Sequence, residues 1–358
     1  MRVARSYCFI GTIKTGDVMF FRILDKAGVS DLIAGLAQTR EVIGPQAKGP
    51  EFVFDVVTNP EDIVLDYTTT LLPPKKYFLK SQESLMRYDT HTGDVEETHV
   101  ASTPRVLFGV HACDIHSLLR LDKVFLGDYE DPYYKARREN TLIVGVSCMP
   151  TSLCMCNAFG TGEVHDGYDL FLTDLGDRYY VTCQTAEGAH ALDKFCETRD
   201  VDSGDVAALQ ARIKTFNDAF EPAPDMAEIP LLFDAKYNDP MWEEIGDKCL
   251  SCGACSMVCP TCYCFNVRDI QDADGVAGTR VREWDSCCYS DFAEVVGGHN
   301  FRPKASDRVK YRFYHKQWGY LSRYGEALCV GCGRCNKACK VNINPRRVLQ
   351  ELSKGGDK

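Results

Sequence analysis

Residues 249–264 read CLSCGACSMVCPTCYC, with six cysteines in sixteen positions. Cys249, Cys252, Cys255 and Cys259 follow the spacing C-x2-C-x2-C-x3-C, closed by Pro260, and Cys329, Cys332, Cys335 and Cys339 repeat it. Two-residue gaps let one tight loop present three thiolates to three irons of a cube, while the fourth cysteine ligates the other cube. The spacing therefore predicts two 4Fe-4S clusters with crossed ligands. Cys249, Cys252 and Cys255 join Cys339 on one cluster, and Cys329, Cys332 and Cys335 join Cys259 on the other. Gly253 and Gly333 each follow a ligand, where backbone has to wrap closely around sulfur. Zinc is the alternative, but such sites draw on two cysteine pairs rather than two runs of four. Two features depart from the minimal layout: Lys340, not proline, follows Cys339, and about seventy residues separate the two runs.

Outward from this stretch, cysteine use divides the chain. Seven of the nineteen cysteines lie in the first 240 residues and twelve in the last 118, which puts a boundary shortly before Cys249. The segment SGDVAALQARIKTFNDAF (203–220) has helical spacing after a serine N-cap, and the proline-rich EPAPDMAEIP (221–230) then breaks the helix. We place the division between residues 1–230 and 231–358. No apolar run reaches the roughly 20 residues a bilayer crossing needs, and no export signal is legible, so a cytoplasmic protein is expected. There thiols stay reduced, which favours metal ligation over disulfides. A net charge of −10 excludes the basic footprint of a nucleic-acid binder.

RVLFGV (105–110) and TLIVGV (141–146) read as buried strands, with helical periodicity between them in DIHSLLRLDKVF (114–125). YDLFLTDLGDRYYVTC (168–183) reads as two strands turning at Gly176. The expected fold is α+β: an N-terminal α/β domain with a mixed sheet, then a mainly helical dicluster ferredoxin-like domain. Neither a GxGxxG nor a phosphate-binding P-loop is present to hold a nucleotide.

Parallel pairing of the two buried strands would carry Cys113 and Cys148 to one sheet edge, where open α/β sheets bind ligands. With Cys154 and Cys156 they form a candidate third 4Fe-4S site; small buried hydrophobes are the alternative. Cys262, Cys264, Cys287 and Cys288 either line the cluster environment, form a redox-active thiol site, or pack the core. Cys8, Cys183 and Cys196 are assigned to packing. His111, His116, His299 and His315 are read as structural. The basic, aromatic segment RPKASDRVKYRFYHKQWGYLSR (302–323) is a helix that either faces solvent, docks a partner or covers a cluster edge.

These residues resemble a family. CxxCGxCxxVCPTCYCFNV, REWDSC, GGHNFRP, YHK and CVGCGRC, with DPYYKARREN and GYDLFLTDLGDR upstream, are similar to sulfhydrogenase beta subunits. They resemble equally the A subunit of anaerobic sulfite reductases and iron-sulfur subunits of flavin-linked complexes that feed heterodisulfide reductase. The resemblance spans about residues 75–350. It implies a non-catalytic electron-transfer subunit beside a flavin and NAD(P)H-binding subunit and a separate catalytic redox subunit. Departures from the pattern are Lys340, the doubled Cys287-Cys288, and MPTSLCMC, which lacks the aromatic that usually separates the last two cysteines. Two other classes stay open: a catalytic subunit reducing sulfur, sulfite or a disulfide at an irregular cluster, and a protein whose clusters only staple the fold.

Overall fold

The computed structural model describes residues 19–98 and 102–354; Cys8 lies outside them. In chain order the strands are β1 (Phe20–Asp25), β2 (Glu41–Lys48), β3 (Glu51–Val56), β4 (Gln82–Asp89), β5 (Val95–Glu97), β6 (Arg105–Val110), β7 (Thr141–Val146), β8 (Leu170–Asp174), β9 (Arg178–Cys183), β10 (Thr198–Arg199), β11 (Phe265–Gln271) and β12 (Ala277–Trp284). RVLFGV and TLIVGV become β6 and β7, which pair in parallel at the centre of an eight-stranded mixed sheet of order β10-β1-β9-β8-β7-β6-β2-β3. All six residues of β7 are buried, the signature of a parallel strand covered on both faces. Strands β2, β6, β7 and β8 run parallel; β9 turns back antiparallel from β8 through Gly176, as the sequence implies.

The crossover from β6 to β7 carries the helix Ala112–Phe125 and a further helix, Pro132–Glu139. Asp131 caps the latter by accepting a hydrogen bond from the Tyr134 N–H. The helix at 203–220 spans Ser203–Asp218, but its N-cap is Asp202 rather than the serine. Asp202 and Asp205 each accept a hydrogen bond from the other's backbone N–H, and both carboxylates sit at the positive end of the helix. The proline-rich piece then leads to the short helix Ile229–Ala235.

A second, antiparallel sheet of order β11-β12-β4-β5 takes strands from both sides of residue 230. Buried Glu83 on β4 fastens it, pairing with Arg282 of β12 at 2.6 Å and with Arg137 of the crossover. The C-terminal part is mainly helical apart from β11 and β12, with a small core of Phe233, Trp242, Phe313, Leu349 and Leu352.

The two parts are also joined by an ion pair without solvent. Arg334, 3% exposed, lies just after the Cys332-Gly333 turn, and both its terminal nitrogens donate to the Asp114 carboxylate at 2.6 Å. Its Nε donates to the Thr70 carbonyl at 3.0 Å. Asp114, fully buried, sits in the first turn of the helix leaving β6. Arg334→Met leaves that carboxylate buried and alone, and is expected to cost about 3–5 kcal/mol in urea unfolding. A loss below about 1 kcal/mol would show that water reaches the pair.

Candidate metal centre

The sixteen-residue stretch and its repeat fold around two cavities. One is lined by Cys249, Cys252, Cys255 and Cys339, the other by Cys259, Cys329, Cys332 and Cys335, with Cys335 also on the wall of the first. Cys288 is on the first wall too, so six cysteines face that cavity, among them all four of the set read from the spacing.

The local backbone repeats as well. Gly253 and Gly333 both adopt left-handed conformations, φ 69° and 77°, and each opens a short helix carrying the third cysteine of its run. Ser251 and Gly331, between the first two cysteines of each run, are left-handed too, at φ 51° and 65°. This turn aims the Ser251 N–H at Cys249 Sγ and the Gly331 N–H at Cys329 Sγ, each at 3.4 Å. The Ile343 N–H likewise donates to Cys339 Sγ at 3.2 Å. Serine bears a steric cost of roughly 1–2 kcal/mol in this conformation, and its hydroxyl accepts from the buried Arg308 guanidinium at 2.9 Å.

Donors aimed at sulfur favour thiolates, whereas burial favours thiols. Burial raises the Cys329 and Cys335 thiols above their ordinary range. Iron bound to these cysteines would resolve the conflict, because a coordinated sulfur is deprotonated and its charge shared with the metal. The donor set, the N–H···S bonds and apolar walls that include Val309, Phe313 and Val330 fit 4Fe-4S cubes.

The candidate third set also converges. Cys113, Cys154 and Cys156 are buried in one cluster with Phe216, Val330 and the second-cavity ligand Cys332, and Cys148 packs against them. Parallel pairing of β6 and β7 delivers Cys113 and Cys148, and a loop delivers the other two. That loop is stitched to the second run: the Met155 N–H donates to Gly331 O and the Thr161 hydroxyl to Val330 O, both at 2.7 Å. A methyl group on Gly331 would lie 2.5 Å from the Met155 carbonyl carbon, so only glycine fits there. The Thr151 N–H donates to Cys154 Sγ at 3.4 Å. Burial drives the Cys148 thiol up to about 12.

Two of the remaining cysteines adjoin ligands. Cys288 Sγ lies 3.8 Å from Cys255 Sγ, and the Cys262 N–H donates to the Cys259 carbonyl at 3.4 Å. A hydrogen bond from Cys287, outweighing burial, brings Cys264 down to about 7. Cys183 is in the main core and Cys196 packs against it. Tyr67 stacks on buried His111 at 3.9 Å, and His116 hydrogen-bonds the Glu163 carbonyl at 2.7 Å. The segment at 302–323 forms the helix Ala305–Tyr314, a π-turn His315–Gly319 and the helix Tyr320–Tyr324. Far from facing solvent throughout, it buries Arg308, Arg312, Lys316 and Gln317. The sequence reading missed Arg312, Lys316 and Lys75 as site residues; the four-residue step from Arg308 to Arg312 to Lys316 was the available signal.

Two adjoining cavities, one faced by six cysteines and the other by four with Cys335 common to both, mark an iron-sulfur protein. The family described as 4Fe-4S dicluster domain matches residues 248–343. Over 326 residues the chain is 36% identical to "Sulfhydrogenase 2 subunit beta" of Pyrococcus furiosus, covering 89% of this chain and 94% of that relative. The chain belongs to this family of sulfhydrogenase-type iron-sulfur subunits. Among the described residues, no helix is long and apolar enough to cross a membrane.

Crossed ligation has a direct test. Cys259→Ala is expected to remove the cube on Cys329, Cys332 and Cys335 while preserving that on Cys249, Cys252 and Cys255, as followed by iron analysis and EPR. Loss of the first-run cube instead would reverse the assignment.

Proposed function

We propose that this chain is the electron-transfer subunit of a cytoplasmic multi-subunit oxidoreductase. It relays single electrons between a flavin and NAD(P)H-binding subunit and a separate catalytic subunit of hydrogenase, sulfite reductase or heterodisulfide reductase type. The observation that carries this reading is contiguity: the Cys113/Cys148/Cys154/Cys156 set abuts Cys332, and the second cavity shares Cys335 and Arg312 with the first. A third 4Fe-4S cluster on the upstream set would make one line of three. Bound cubes supply reversible one-electron storage. The chain's own residues supply thiolates, aim N–H donors at sulfur and exclude water with apolar walls. The line reaches the surface at Cys252, beside the exposed Leu250. The name of the relative, a sulfhydrogenase subunit, supports a multi-subunit setting.

A catalytic reading draws on one further observation, a largely apolar cavity beside Cys148 lined by Val146, His165, Tyr168, Phe171 and Arg212. One experiment separates the readings. Anaerobically reconstituted protein is expected to bind about twelve irons, dropping to about eight in Cys148→Ala/Cys156→Ala, with EPR spectra indifferent to added sulfite or disulfide. Fewer than about eight irons in the parent protein would defeat the relay. Spectra perturbed by those additions would favour catalysis.

A further inference from the structure

Three buried cations, Arg312 and Lys316 on the wall of the second cavity and Lys75 against the Cys262 carbonyl, have no carboxylate partner among the described residues. Lys75 is 2%, Lys316 3% and Arg312 7% exposed. Lys75 Nζ donates to the Cys262 carbonyl at 2.7 Å and lies 4.5 Å from the centre of the Trp284 ring. Lys316 Nζ donates to the Thr261 hydroxyl at 2.8 Å. Arg312 donates to the Cys255 carbonyl at 3.3 Å, and its Nε has no partner among the described residues. The other buried cations are satisfied: Arg334 by Asp114, Arg137 and Arg282 by Glu83, Arg120 by Glu326, Arg346 by Glu221. Arg308 is buried without a carboxylate but donates to three carbonyls and the Ser251 hydroxyl.

Leaving an ammonium in a protein interior without a counter-charge costs several kcal/mol. The arrangement is less favourable still because Arg312 and Lys316 share the wall of one cavity, where like charges repel. An anion must offset both costs. The acidic groups acting on them are thiols: Cys255, Cys335, Cys262 and Cys259 on Arg312, Cys259, Cys262 and Cys329 on Lys316, and Cys262, Cys259 and Cys264 on Lys75, against burial and the Lys316 charge, which hold the Lys75 ammonium below its usual range, and the Arg312 charge, which opposes that of Lys316. Arg312 and Lys316 line the second cavity, and Arg312 alone of the three also lines the first. A cube on four thiolates is a net anion and gains one more negative charge on reduction, so fixed cations favour its reduced form.

We propose that Arg312, Lys316 and Lys75 are the built-in counter-charge of the cube on Cys259, Cys329, Cys332 and Cys335 and raise its potential. The proposal rests on the electron-relay reading above. It also gives the long insertion between the cysteine runs a task, since that insertion carries Arg312 and Lys316. Lys75 comes from the opposite part of the chain, in the turn Pro74–Tyr77, so the cradle closes only when the two parts pack together.

Potentiometric titration followed by EPR tests it on the reconstituted full chain. Lys316→Gln and Lys75→Gln are each expected to lower the midpoint potential of one cube and leave the Cys249/Cys252/Cys255/Cys339 cube in place. Lys316→Arg should hold the parent potential, and Lys304→Gln, an exposed cation on the same segment, should change nothing. Potentials unmoved in glutamine variants with full iron content overturn the proposal. If the glutamine variants lose iron, retention by Lys316→Arg supports the charge role, and equal loss in Lys316→Arg makes side-chain shape the cause and overturns it. Iron below about eight in the parent chain would instead defeat the relay reading itself.

Discussion

Sulfur ligands for iron must be anionic, and anions resist burial; the rest of this structure can be understood as an answer to that conflict. At short range the backbone answers, with left-handed turns at Ser251 and Gly331 that aim N–H groups at the first sulfur of each run. At longer range cations answer, with Arg312, Lys316 and Lys75 placed where no carboxylate competes. Apolar walls then keep water away, which strengthens every one of these interactions.

The same constraint accounts for how the two parts are joined. A free-standing dicluster domain would lack Lys75, the Asp114 partner of Arg334 and the 153–156 loop that bonds Gly331 and lies against Cys332. Each comes from the first 230 residues. The shared sheet of β4, β5, β11 and β12 and the Glu83 network fasten the parts on another side. Residues 260–328 are therefore more than a spacer. They supply two strands of that sheet and the helical segment that sets Arg312 on the walls of both cavities and Lys316 on the second.

Much of this was legible in sequence because it depends on local spacing. The cysteine runs carry the spacing of two cubes, and the buried apolar runs at 105–110 and 141–146 are parallel strands, with Cys113 three residues past the first and Cys148 two past the second. What escaped depends on distant partners. Strand β11, FNVRDIQ, is exposed along its length and carries no buried-strand pattern; its place is set by pairing with β12. The cationic face of 302–323 looks like a solvent face until the anionic groups opposite it are known. Lys75, in PKKY, has no local signal at all. The N-cap moved from Ser203 to Asp202 because Asp205 completes a reciprocal pair that only the aspartate one residue earlier can reach.

Electronic contact between adjacent cubes is the central claim, and magnetic coupling reports it directly. Anaerobic reduction of the reconstituted chain, followed by EPR from the first electron to full reduction, is the decisive measurement. The account predicts a simple one-cluster signal at the start that broadens and splits through spin–spin interaction as neighbouring cubes fill. Fully reduced spectra that remain the plain sum of isolated, non-interacting clusters would contradict it.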